Sequence, residues 1–335
     1  MRRKFGLIGA GIAVAATMLL SAGNAAAEND PAKVVGPNAC AECHKLSAEV
    51  WKGTHHFSTF TDLPRADKAR TIADKMGVRR IKNESLCTTC HFTNQKEGEK
   101  VDAVAGISCE SCHGAGADWI KVHSSFSGKK KETESPAEAK ERWAKSEAAG
   151  MIRPSNLYAL ASNCFSCHVV PQEKLVNDGG HPAGSAFELV AWSQGEVRHT
   201  LWYSEGNQNL VASPERQRMM FVVGTAVELE TALRAVGKAT ERKDYAVAMA
   251  QRAAAVRARA DELAKALPKV PELAEIAAAA AAAGLKLNNE AELSAAADKI
   301  AAAAKKLAAG YDGKAFAAID AMLPKPDQYK GKPAR

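Results

Sequence analysis

The eight cysteines of this 335-residue chain all belong to four copies of one motif, Cys-x-x-Cys-His. This motif attaches haem c: both thiols form thioethers with the haem vinyl groups, and the adjacent histidine becomes the proximal iron ligand. Structural zinc sites and thioredoxin-like redox sites also use Cys-x-x-Cys, but neither needs histidine at the next position. Since only 9 residues of the chain are histidine, four chance coincidences would be rare, and we predict four covalently bound haems.

The predicted attachment residues are Cys40, Cys43, Cys87, Cys90, Cys109, Cys112, Cys164 and Cys167. The predicted proximal iron ligands are His44, His91, His113 and His168.

The N-terminus has the pattern of a secretory signal peptide covering residues 1–27. Arg2, Arg3 and Lys4 precede an apolar run from Phe5 to Leu20, and a small-residue cleavage site follows at 25–27. We therefore expect a periplasmic protein that begins at Glu28, with membrane association only if this segment stays uncleaved. Export agrees with the motifs, because haem is joined to thiols after export.

Net charge argues against a nucleic-acid-binding function. Removing the three basic residues of the leader lowers the formal charge from +7 to +4, and no basic run exceeds Lys129–Lys131. No later apolar stretch lacks charges for long enough to cross a bilayer. The expected partners are other periplasmic redox proteins, an electron donor and an electron acceptor.

The composition divides the chain near residue 205. Upstream, in residues 28–205, four haems would supply much of the core, so we predict a tetrahaem domain of short helices and loops. Downstream, in residues 206–335, apolar residues recur at helical spacing in four stripes that end at Gly237, Pro268, Gly284 and Gly310. This pattern predicts an all-α protein whose C-terminal part is an antiparallel four-helix bundle with a last short helix near 316–323.

Five histidines remain to fill the second axial position of each iron: His55, His56, His123, His181 and His199. All five lie upstream of residue 200, within the predicted haem region. Met76 and Met151 are the methionines of this region, and packing is the expected role of both. Two histidines on each iron would make low-potential electron carriers.

Two segments resemble the tetrahaem cytochrome c-554 family. The first is Cys40-Ala-Glu-Cys-His-Lys followed by Val50-Trp-Lys-Gly-Thr-His-His, and the second is Cys109-Glu-Ser-Cys-His-Gly-Ala-Gly followed by His123. The resemblance extends from residue 37 to about 205 and includes the fourth motif and Gly195–His199. The best-known members of this family take electrons from hydroxylamine oxidoreductase in ammonia-oxidising bacteria.

The resemblance implies an assignment of distal ligands. It gives His56 to the third haem, His123 to the first and His199 to the fourth. The second haem of the best-known member lacks a sixth ligand, but this sequence offers His181, which we expect to close that haem. An exchange of His181 and His199 between the second and fourth haems stays open. His55 is then left over as a neighbour of a haem propionate.

These observations predict an electron-transfer protein. Two alternatives stay open: an enzyme that reduces or oxidises a small nitrogen or sulfur compound at a haem with an open coordination position, and a subunit of an extracellular cytochrome filament. The carrier is favoured over the enzyme because there are enough histidines to close every iron.

Overall fold

The structure is a computed structural model that describes residues 29–332. The predicted signal peptide therefore lies outside the described residues. Within the described part of the chain, the predicted all-α class is confirmed, and one short antiparallel hairpin is the exception. None of the helices between residues 29 and 332 is both long and apolar enough to cross a membrane.

In residues 29–205, which include the predicted haem region, the helices are short. They are α1 (Pro37–Ala41), α2 (Lys45–Lys52), α3 (His55–Asp62), α4 (Asp67–Lys75), α5 (Ser85–His91), α6 (Cys109–His113), α7 (Ile120–His123), α8 (Pro136–Ala148), α9 (Leu157–His168), α10 (Glu173–Asn177) and α11 (Leu189–Ser193). Strands β1 (Thr93–Glu97) and β2 (Lys100–Ala105) form the hairpin between α5 and α6. Gly98 turns this hairpin with a φ of +59°, which glycine adopts without a steric penalty.

Four long helices follow at the places where the apolar stripes predict them: α12 (Pro214–Gly237), α13 (Asp244–Ala266), α14 (Pro271–Ala282) and α15 (Glu290–Gly310). Local signals fix several ends, since Ser213 caps α12 and proline opens both α12 and α14. Helix α12 packs against α13 and α15, and α14 packs against the same two helices. The last predicted helix is a 3₁₀ helix over Lys314–Met322, with a kink at Phe316.

One continuous apolar core extends from Leu157 of α9 to Ile319, so it includes both the end of the haem region and the long helices. Helix α9 lies on α12 through buried Leu157, Ala161 and Phe165. This core crosses residue 205, where the sequence analysis divides the chain. The division into two domains stays a prediction.

Candidate haem sites

Each Cys-x-x-Cys-His motif lies on a helix or at its end. In α5, α6 and α9 the two cysteines are three residues apart, and the motif histidine is the last helical residue. Residues i and i+3 share one helix face, so both thiols of such a motif point to the same side. In the first motif Cys40 lies in α1, and His44 precedes α2. This local arrangement gives each motif two adjacent thiols beside an imidazole.

Each of the four motif histidines faces a second imidazole from a distant part of the chain. The ring centroids are 6.4 Å apart for His44 and His123, 6.1 Å for His91 and His181, 6.1 Å for His113 and His199, and 6.3 Å for His168 and His56. A metal ion about 2.0 Å from a nitrogen of each imidazole separates two ring centroids by about 6 Å. Each pair therefore has the separation that one shared iron requires.

Two of these pairs match the assignment made from sequence, because His123 faces the first motif and His181 faces the second. The other two differ from the implied assignment. His56 faces His168 of the fourth motif instead of the third, and His199 faces His113 of the third motif instead of the fourth. The physical reason is tertiary: the sequence spacing from a motif to a later histidine does not fix which other motif that histidine meets.

Hydrogen bonds at Nδ1 orient five of the eight paired imidazoles. Backbone carbonyls accept from His113 (Ile152, 2.9 Å), His123 (Ile120, 2.6 Å), His181 (Pro182, 2.7 Å) and His199 (Val197, 2.7 Å), and the Ser185 hydroxyl accepts from His168 (2.7 Å). A proton held on Nδ1 leaves the lone pair of Nε2 free for a metal, which is the usual arrangement of metal-bound histidine.

Burial favours the neutral form of six of the eight paired imidazoles. It lowers the pKa of His44, His56, His113 and His123 below the usual value of histidine. Burial and the facing imidazole together lower the pKa of His91 to about 4, and the same two causes with Arg252 lower that of His168 to about 4. At neutral pH these rings are uncharged, as iron ligation requires.

The motifs lie next to each other in a definite order. Helix α1, which holds Cys40, packs against α6, which holds Cys109 and Cys112. Helix α9, which holds Cys167, packs against both α6 and α5, the helix of Cys90. These contacts join the first motif to the third, the third to the fourth and the fourth to the second.

A buried carboxylate holds the first motif against the third. Glu110 is fully buried inside the third motif, and its carboxylate accepts hydrogen bonds from the backbone N–H groups of Val35 (2.9 Å), Gly36 (2.8 Å) and Gly116 (2.7 Å). Because Val35 and Gly36 lead directly into α1, Glu110 fixes the approach of the Cys40 segment to α6.

His55 is the histidine that does not join a pair. Its Nδ1 lies 2.8 Å from Oε2 of Glu196, and its side chain is largely exposed. Its predicted place beside a haem propionate stays a prediction.

Several site residues have no signal in the sequence. Aromatic rings pack beside two proximal histidines: Phe187 stacks on His168 at 4.3 Å, and Trp202 lies 4.8 Å from His44. Two arginines bond to backbone carbonyls of paired histidines, Arg142 to His123 and Arg252 to His168. Arg252 belongs to the long helices, which contain no Cys or His.

The donor set fits haem c. Each site offers two thiols, an adjacent imidazole and a facing imidazole at the separation of two axial ligands, and none of the eight cysteines forms a disulfide. The residues that would hold each haem are therefore the motif and its facing histidine.

Comparison with known proteins agrees with this chemistry. Residues 39–114, which contain the first three motifs and His56, match the family described as cytochrome c554 and c-prime. The chain is also 30% identical over 125 residues to cytochrome c-554 of Nitrosomonas europaea, an alignment that covers 35% of this chain and 52% of that protein. The chain thus spans about half the length of this relative. No solved structure matches the chain significantly.

Proposed function

We propose that this protein, whose residues 39–114 match the family described as cytochrome c554 and c-prime, is a periplasmic electron-transfer c-type cytochrome with four bis-histidine haems. The observation that carries the proposal is the set of four imidazole pairs with centroids 6.1 to 6.4 Å apart. Haem c, once attached, exchanges single electrons at its iron. With haem attached, both histidines of each pair would ligate its iron and would leave no coordination position for a substrate.

The order of the motifs supports transfer between haems inside one molecule. Helix packing joins the first and third motifs (α1 with α6) and the second and fourth motifs (α5 with α9), and α6 packs against α9 between these two groups. Two thioether attachment points that lie side by side bring their haems close together. Electrons then have a path through four adjacent sites, from the first motif to the second.

Histidine on both sides of each iron sets the expected potentials. Methionine raises the potential of a c-type haem, whereas two histidines keep it low. Low-potential haems suit exchange of electrons with other redox proteins, so we propose a donor and an acceptor protein in the periplasm as partners.

Intact mass and spin state test this proposal. The matured protein should exceed the mass of the chain from Glu28 by four haems, and the oxidised protein should be low-spin at every iron by low-temperature electron paramagnetic resonance. His181→Ala should open one high-spin haem that binds carbon monoxide when reduced, because it removes one axial ligand.

His55→Ala is the matched control and should open no haem, because His55 faces Glu196 and not a motif histidine. A mass with three haems or fewer would contradict the stoichiometry. A high-spin signal in the wild type that the His181 substitution leaves unchanged would favour the haem enzyme instead.

A further inference from the structure

The long helices reach the fourth haem site through one arginine. Arg252 of α13 points its Nη1 at two backbone carbonyls, 3.2 Å from that of His168 and 3.0 Å from that of Ser185. His168 is the motif histidine at the end of α9, and Ser185 lies in the loop before α11. One guanidinium group therefore joins two segments that are 17 residues apart.

The same two segments are also bonded to each other. The Ser185 hydroxyl lies 2.7 Å from Nδ1 of His168, and the Ser185 backbone N–H donates to the His168 carbonyl at 3.1 Å. Arg252 thus bonds to the backbone of the residue whose hydroxyl orients the proximal imidazole. Displacing the Ser185 carbonyl would displace that hydroxyl.

The space at this junction admits little change. Gly184 lies beside it with a φ of +155°, and a Cβ there would come within 2.5 Å of the His168 carbonyl oxygen and 3.0 Å of Arg252 Nη1. Such close approach of backbone and guanidinium shows that the three groups are packed directly together.

A buried carboxylate of the bundle fixes Arg252 itself. Nε of Arg252 donates to Oε1 of Glu228 in α12 at 2.8 Å, and Arg259 donates to Oε2 of the same carboxylate at 3.1 Å. Glu228 is buried. Since Arg259 is seven residues after Arg252 on α13, the two arginines share one helix face and one anion, but only Arg252 bonds to the haem site.

We propose that Arg252 is a positioning residue for the fourth haem. It holds the Ser185 hydroxyl where that hydroxyl accepts a hydrogen bond from Nδ1–H of His168, so that the helical bundle sets the potential of that one haem. This inference rests on the proposed function, because it takes His168 as an iron ligand. A hydrogen bond from Nδ1 makes an imidazole a stronger donor, which stabilises the ferric iron and lowers the potential.

The test compares matched lysine variants of the holoprotein by spectroelectrochemical titration. Arg252→Lys keeps the positive charge but loses the planar fork that bonds Glu228 through Nε and both carbonyls through Nη1 at the same time, so Ser185 is released. The potential of one haem should rise by roughly 28 mV or more. At about 59 mV per tenfold, this rise corresponds to about a threefold increase in the ratio of reduced to oxidised haem at a fixed applied potential. The other three potentials should not move.

Two further variants identify the haem and the mechanism. Ser185→Ala deletes the acceptor and should raise the potential of the same haem and change its paramagnetic resonance signal, and adding Arg252→Lys to it should give little further shift. Arg259→Lys should leave all four potentials unchanged, because Arg259 contacts Glu228 and not the His168 segment.

Each outcome bears on the inference separately from the proposed function. Intact mass and unfolding temperature first establish that a variant carries the wild-type haems and fold. Equal shifts in Arg252→Lys and Arg259→Lys, or four unchanged potentials in Arg252→Lys, would overturn the inference while four low-spin haems in the wild type still supported the proposed function. If Arg252→Lys fails to mature, an unchanged potential of the fourth haem in Ser185→Ala would overturn the inference as well.

Discussion

The two ends of the described chain differ in what forms their interior. In residues 29–156 the main cluster of buried apolar side chains is small and centres on Ala73, Ile81 and Phe92. From Leu157 to Ile319 a single large core joins α9 to the four long helices, with fully buried Leu229, Leu263 and Ile300. All eight cysteines and all nine histidines lie between residues 40 and 199, whereas the long helices have none.

This difference shows that the two regions obtain their stability from different sources. Ordering a chain costs about 1–2 kcal/mol per residue in backbone entropy, which burial of apolar surface must offset. The long helices bury enough apolar surface through their own stripes. The first region lacks such a core, so attached haem must supply the apolar surface that its short helices cover.

The largest expected effect comes from withholding haem. A chain made without haem attachment should lose ordered structure in α1 to α7 and keep it in α12 to α15, because only the long helices have their own core. Hydrogen exchange followed by mass spectrometry measures this, with the haem-loaded protein as control. Equal protection of both regions without haem would show that the first region does not depend on haem for its order.

A truncation near Gly206 should have the next largest effect. It removes α12, which covers the buried face of α9, and Arg252, which bonds to His168. We expect the fourth haem site to be disturbed and the first three to be retained, as measured by intact mass and the resonance signals of the individual haems. Four undisturbed haems would instead support an independent domain that ends at residue 205.

The smallest expected effect comes from one polar contact in the first region, where the apolar core is small. It tests how much the Glu110 carboxylate contributes to the free energy of unfolding. Glu110→Gln leaves one oxygen to serve three backbone N–H donors and turns an amide group towards them. Unsatisfied buried groups cost about 1–3 kcal/mol, so the free energy of unfolding in guanidinium chloride should fall by about that amount. Glu42→Gln, at an exposed position just outside α1, is the control and should change it by less than about 0.5 kcal/mol. A Glu110 variant as stable as this control would mean that the carboxylate does not hold the two motifs together.

The sequence alone determined the features that depend on neighbouring residues. Four Cys-x-x-Cys-His motifs specify haem attachment because the chemistry needs two thiols and an imidazole within five residues. Helices α12 to α15 lie where the apolar stripes and their glycine and proline stops predict helices. Both signals are local, so no knowledge of the fold is needed to see them.

Only the tertiary structure decided which parts of the chain meet. His56 and His199 face the fourth and third motifs, the reverse of the assignment implied by resemblance, since residues that are distant in sequence are brought together by the packing of the whole chain. Arg252 reaches His168 across 84 residues, and no pattern around it marks this role. Its position follows from the packing of α13 beside α10 and α12, because helix packing, and not local sequence, places its guanidinium at the carbonyl end of the fourth motif.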